Sequence, residues 1–359
     1  METDRRKFIS GMASACLIPL AGQSKEYKKN LLISSLKGSK SYSVAILTFD
    51  GEVVFSKELE GRGHDISISP NGSLAVVFAR RPGYFANVID LENFRVLETI
   101  RPKEGRNFYG HGAFSSDGKL LFAAENDFEN EKGVIGIYDS KRKFCRVGEF
   151  RSFGKGPHQI ILRKDNRTLV VANGGIITHP DLPRAKLNLS SMDPSLVYID
   201  IRTGELLEKV RLPTDYRRLS IRHLSEAYDG SIWFGAQYEG PPEDEIDLVG
   251  KHFFGNEIKL INLPNGLYKG LRQYIGSVSS SPDGKLIATS SPKGNKAIIW
   301  DTISTRVVGV KNIKDVGGIA PQSDSDFYFS SGNGSLINKE KLIFFDSQIK
   351  WDNHLASNI

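Results

Sequence analysis

The chain has 359 residues, enough for one large or two ordinary domains, and its 39% hydrophobic and 25% charged composition is that of a soluble globular protein with a sizeable core. The net charge is +6, from 48 basic and 42 acidic residues, yet no run of five like charges occurs. The excess is spread over the surface, which argues against a nucleic-acid partner.

The first 22 residues differ from the rest. Arg5, Arg6, Lys7 and Phe8 precede a modest apolar run, "ISGMASACLIPLAG", which reads as an export signal with the twin arginines of the Tat route and hence a periplasmic protein. Asp4 stands where that motif prefers Ser or Thr, and a chance basic start on a cytoplasmic protein is the alternative. "ASAC" resembles a lipobox, but the apolar stretch continues past Cys16 where a lipoprotein turns polar. The run is well short of the roughly 20 residues that span a bilayer, so no stable membrane insertion is expected. Loss of the signal leaves Cys145 alone, and one cysteine forms no internal disulfide.

From residue 30 to 359 a β-rich run ending in Asp or Asn recurs seven times: at Asp50, Asp90, Asp139, Asp200, Asn262, Asp301 and Asp346. A second apolar run follows such segments, as in "FRVLETI" and "TRVVGV". Turn sequences precede six of them: Pro70-Asn71-Gly72, Asp117-Gly118, Asp165-Asn166, Asp229-Gly230, Asp283-Gly284 and Ser323-Asp324-Ser325. Gly and Asn tolerate positive φ and Asp bonds its own backbone, so these are hairpin turns. Four strands per unit predicts an all-β fold, a seven-bladed β-propeller of the WD40 or YVTN type. Two long spacings place insertions between second and third strands, in residues 174–194 and 239–257. The N-terminal unit has only "LLISSL", "YSVAILTF" and "EVVFSKEL"; its innermost strand is missing, and the terminal "HLASNI" is predicted to supply it, closing the ring.

Five of seven histidines sit where an innermost strand should begin: His64, His111, His158, His223 and His354. These positions belong at the top of the central channel, and imidazole is the commonest metal ligand. His64 and His158 lie eight residues before Gly72 and Asn166, whereas His111 and His223 lie seven before Gly118 and Gly230, so the spacing does not require all five to face inward. The competing reading is structural: in WD40 repeats a Gly-His pair bonds within its own blade, and Gly63-His64 and Gly110-His111 echo that pattern. Glu125 is a candidate oxygen ligand, and Arg62, Asn126, Asn173, His179, Arg222, Gln237 and Glu239 are candidate ligand-binding residues of the same mouth, with Arg80, Arg81 and Asp127 beside them.

Several stretches together resemble one bacterial family of exported proteins, domain-of-unknown-function family 1513: "GRGHD", "YGHGAFSSDGKLLFAAENDFENEKGVIGIYD", "GPHQIIL", "VVANGGIITHPDLPRAKLNLSSMDPSLVYID", "LSIRHLSEAYDGSIWFGAQYEG" and "WDNHL". The resemblance implies a Tat-exported seven-bladed propeller, often encoded near imelysin-like and iron-acquisition proteins, with no established reaction. Ala236 stands where the family tends to have a cysteine. The leading expectation is a monomeric, non-enzymatic periplasmic protein that binds a metal ion or small ligand, with iron or copper as the candidate ion and other iron-acquisition proteins as candidate partners. A lactonase-like hydrolase or metal-dependent oxidoreductase using the same mouth is the second reading. An interaction scaffold is the third.

Overall fold

The computed structural model describes residues 30–182, 184–264, 266–322 and 325–359. The export-signal reading of residues 1–22 and the turn residues Ser323 and Asp324 fall outside them. Seven four-stranded antiparallel sheets form the blades, and their inner strands touch in a ring. Among the described residues, helix is confined to Leu267–Leu271 and three single turns of 3-10 helix.

The recurring aspartates explain why the repeat is legible. Asp90, Asp139, Asp200 and Asp301 each end the third strand of a blade and accept a hydrogen bond from a backbone N–H two or three residues on, at 2.9, 2.9, 2.9 and 2.7 Å. That side-chain bond turns the chain into the outer strand. The inner hairpins close as expected, with Gly72, Gly118, Gly230 and Gly284 at positive φ.

Blades 5 and 7 depart from the expected register. "IKLIN" contributes the outermost strand Lys259–Leu260, and the third strand is Val249–His252. The insertion expected over residues 239–257 therefore contains that third strand within it. "LIFFD" likewise forms the outer strand Lys341–Phe345, behind a third strand at Ser335–Asn338. Both third strands have only four residues, and Gly250 removes the side chain that would collide with the Phe234 ring at 2.4 Å, so neither leaves an apolar run to recognise.

Blade 1 draws its inner strand from the far end of the chain. Lys350–Asn358 pairs antiparallel with Leu31–Lys37, from Leu31 opposite Asn358 to Lys37 opposite Lys350. The strand is longer than "HLASNI" and begins with Lys350 and Trp351. It is also tied to both neighbouring blades: Ser357 Oγ donates to the Pro321 carbonyl at 2.9 Å, and Asn358 Nδ2 donates to the Gly72 carbonyl at 2.9 Å. The core lies between blades, as where Val76 and Phe78 of blade 2 pack on Phe108, Leu121 and Tyr138 of blade 3.

Candidate metal centre

Each of the five histidines lies where the inner strand breaks register with its neighbour. Two residues, His64 and Asp65, stand against one between the pairs Gly63–Ala79 and Ile66–Val77. His158 and Gln159 do the same in blade 4. Tyr109, Gly110 and His111 loop out between Phe108 and Gly112, Arg222 is the extra residue before His223, and Asp352, Asn353 and His354 oppose Ser35. A bulge bends the strand and re-aims its side chains, and so absorbs the seven-versus-eight offset seen in the sequence.

The rings converge on the channel axis. Centroid separations are 4.9 Å for His64 to His111, 4.5 Å for His64 to His354, 4.5 Å for His111 to His158, 4.9 Å for His158 to His223 and 5.0 Å for His223 to His354. All are buried except His158, which is half-buried. Backbone close approach makes this density achievable. Gly110 has φ +101, and a Cβ there would lie 2.7 Å from the His64 ring; at Gly318 one would lie 2.8 Å from the His354 carbonyl carbon.

Two carboxylates orient the rings from behind. His64 Nδ1 lies 2.9 Å from Asp352 Oδ1, and Asp352 Oδ2 accepts from Arg62 Nε at 2.5 Å. His111 Nδ1 lies 2.9 Å from Asp65 Oδ2, whose other oxygen is 3.8 Å from His354 Nδ1. An ionised carboxylate only accepts, so Nδ1 carries the proton in both rings and, in the neutral ring, Nε2 presents its lone pair inward. Both bonds cross from one blade to the next, unlike the within-blade bonds of the structural reading. Burial alone would raise the Asp65 pKa, but its charge interaction and hydrogen bond with His111 hold it at about 2. Burial opposes ionisation of Asp352 too, and is outweighed by His64 and the Arg62 guanidinium, which hold it well below the usual carboxylate range.

Four of the histidines, His64, His158, His223 and His354, are poised to be neutral. Burial pushes His64 down to about 4 against the pull of Asp352. His158, His223 and His354 are held well below the ordinary histidine value, by burial first and then by neighbouring imidazoles. His111 Nε2, His354 Nε2, His158 Nδ1 and His223 Nδ1 are buried and have no hydrogen-bond partner among the described residues. Leaving a buried polar group unpaired costs about 1–3 kcal/mol, so four together rival the ~5–15 kcal/mol stability of a domain. A cation held between neighbouring rings would give these nitrogens the partner they lack. Two sets, His64, His111 and His158, and His111, His223 and His354, each bring one ligand atom per residue within 4.8 Å of one another. They share His111, whose Nδ1 is taken by Asp65, so only one ion at a time can be held through its Nε2.

The other sequence candidates divide. Arg222 and Glu239 lie together at the mouth, with Arg222 Nη2 4.0 Å from Glu239 Oε1 and Glu239 Oε2 taken by Lys186, whereas Arg62 is held by Asp352. Glu125 is fully buried inside blade 3, where it accepts from the Tyr138 hydroxyl at 2.7 Å and from Arg146 at 3.1 Å and faces Arg106 at 3.4 Å. Its oxygens are committed to that network and do not reach the histidines. Asn126 donates to the Thr178 carbonyl, Asn173 to the Ser152 carbonyl and Gln237 to the Ile275 carbonyl, so these three position loops. His179 packs edge-on against Phe128 at 5.2 Å, away from the cluster. Asp65, Asp352 and Tyr109 were not singled out from the sequence, although "GHD" and "WDNH" carry the two aspartates beside their histidines.

A family model described as "Protein of unknown function (DUF1513)" matches residues 57–358. No curated protein matches the chain. Among solved structures the propeller is similar to a chain of Kuenenia stuttgartiensis hydrazine synthase, with TM-score 0.65 and 15% identity over 83% of this chain and 89% of that one. It is similar also to the Cps50 (Swd1) β-propeller domain of Myceliophteria thermophila, with TM-score 0.61 and 14% identity over 90% and 92% of the two chains. At such identities the likeness is one of fold alone.

Proposed function

The chain belongs to the DUF1513 family of proteins of unknown function, and we propose that it is a metal-binding propeller in which His111, together with His64 and His158 or with His223 and His354, holds one first-row transition ion in the channel. The observation that carries this reading is the set of four buried, unpartnered imidazole nitrogens facing one another. Neutral imidazole suits zinc, copper, nickel and ferrous iron, whereas calcium, magnesium and ferric iron favour oxygen donors. Iron would therefore be held in the ferrous state, with Asp65 and Asp352 offsetting its charge from behind the rings. Arg5 and Arg6 support export, and the association of the family with iron-acquisition proteins supports a role in periplasmic iron or copper handling. The cross-blade bonds of His64 and His111 speak against a pure scaffold, for which within-blade bonds suffice. Metal analysis of protein purified from its native compartment tests the reading: about one equivalent of iron, copper or zinc is expected, and metal-replete cells yielding protein with no stoichiometric ion would refute it.

A further inference from the structure

The mouth of the site has the wrong charge for a bare cation. Arg81, with Arg80 beside it, and Arg222 lie there near Lys186, and Glu239, whose charge both Arg81 and Arg222 feel, is already held by Lys186. The Arg222 side chain is only one-tenth exposed, its Nε is buried without a hydrogen-bond partner, and its nearest carboxylate oxygen at 4.0 Å is beyond hydrogen-bond distance. Arg81 is half-buried and its guanidinium donates to no described residue. Buried guanidinium groups are normally paired, because they carry five donors and cannot shed their charge.

Both arginines flank the same short stretch of the loop 174–194. A Cβ on Gly174 would lie 3.4 Å from the Arg222 guanidinium carbon. Four residues on, the Thr178 hydroxyl meets the Tyr109 hydroxyl at 3.2 Å, and Tyr109 feels the charge of both Arg81 and Arg222. Arg81 lines a small pocket with Thr178, and Arg222 feels the positive charge of Arg81, so the two guanidinium groups border a common space beside Tyr109. That space adjoins the histidines: Arg222 is the chain neighbour of His223, and Tyr109 lies two residues before His111.

We propose that this space is an oxyanion site, in which Arg81 and Arg222 hold a carboxylate or phosphate that enters with the ion and supplies an oxygen to it. Planar guanidinium forks recognise these anions in bidentate fashion. The anion pairs the orphaned donors, and it removes the repulsion that a cation alone would meet on its way to the imidazoles. The cargo class that fits is a metal ion accompanied by a small oxyanion, with the carboxylate of an organic chelator and inorganic phosphate as its two sources. The inference rests on the metal reading for the ion and on the arginines for the anion.

Calorimetric titration with Co2+, with and without acetate or inorganic phosphate, tests it. One of the two anions is expected to tighten Co2+ binding by about tenfold or more, reciprocally with its own affinity, and the one that does so identifies the source. Arg81→Met and Arg222→Met should abolish that enhancement while binding Co2+ alone at least as tightly as the parent, because a repelling charge is gone. Enhancement by neither anion, or enhancement that survives both substitutions, overturns the proposal. Were Co2+ not to bind at all, the metal reading would fall by itself. The anion site would still be decided on metal-free protein: phosphate or acetate binding that Arg81→Met removes upholds it, and no binding overturns it.

Discussion

Removing residues 352–359 is expected to leave a protein with no cooperative unfolding transition at room temperature. The segment is most of the inner strand of blade 1 and carries four of that strand's six register pairs with Leu31–Lys37. It includes buried Leu355, which shares a core cluster with buried Trp351 at the start of the strand. Burying such side chains is worth ~1.5–3 kcal/mol each, and the net contribution of each backbone hydrogen bond is about 1 kcal/mol. Together with the bonds from Ser357 and Asn358 to the two neighbouring blades, the loss is on the order of 10 kcal/mol, comparable to a whole domain's stability. It would also open an inner sheet edge to non-native pairing. Removal of Ile359 alone, half-exposed at the end of the strand, should change the melting temperature little. A peptide spanning residues 350–359 added to the truncated protein should restore the transition, as strand addition does elsewhere. A truncated protein that melts like the parent would contradict ring closure.

Metal-free protein should lose stability steeply as pH falls from about 6.5 towards 4. In the unfolded chain the histidines titrate near 6.5, whereas in the folded state His64 resists protonation to about 4 and His158, His223 and His354 lie well below 6.5. Between those limits the unfolded state binds more protons than the folded state, so stability is fully present above 6.5 and drains as pH drops. For His64 alone, a shift from 6.5 to about 4 corresponds to about 3 kcal/mol. With four such groups the slope should exceed by several-fold the ~1.4 kcal/mol per pH unit that one histidine can give. Carboxylates contribute mainly below this window, since Asp65 is held at about 2. Denaturant melts of the parent and of His158→Gln between pH 7 and 5 measure it: the variant should be the flatter of the two, and a pH-independent parent would exclude buried neutral imidazoles.

The fold was legible because its punctuation is chemical. Asp90, Asp139, Asp200 and Asp301 turn the chain with their own side chains, and glycines at positive φ close the inner hairpins, so the blades can be read off one after another. Where a third strand shrinks to four residues with a glycine in it, as at Val249–His252, the period slips and the outer strand is mistaken for it. The five histidines could be named from their place near the start of five of the seven predicted inner strands. Their convergence could not, because it depends on bulges whose extra residues number differently from blade to blade. Glu125 looked like a ligand because it stands in an acidic stretch; only the third dimension brings Tyr138, Arg106 and Arg146 onto its oxygens. Asp65 and Asp352 act across blade boundaries, so the sequence gives no sign of which histidine each one orients.

His111 is the residue on which the account turns, since both three-nitrogen sets pass through it and Asp65 leaves it one free nitrogen. The most direct measurement is a calorimetric titration of metal-free protein with Zn2+ or Co2+, run on the parent and on His111→Ala with the fold of each verified by circular dichroism. One ion per chain is expected for the parent, with a loss of at least about 100-fold in affinity, or nearly 3 kcal/mol, for the variant. Equal affinity and stoichiometry in the two proteins would contradict it.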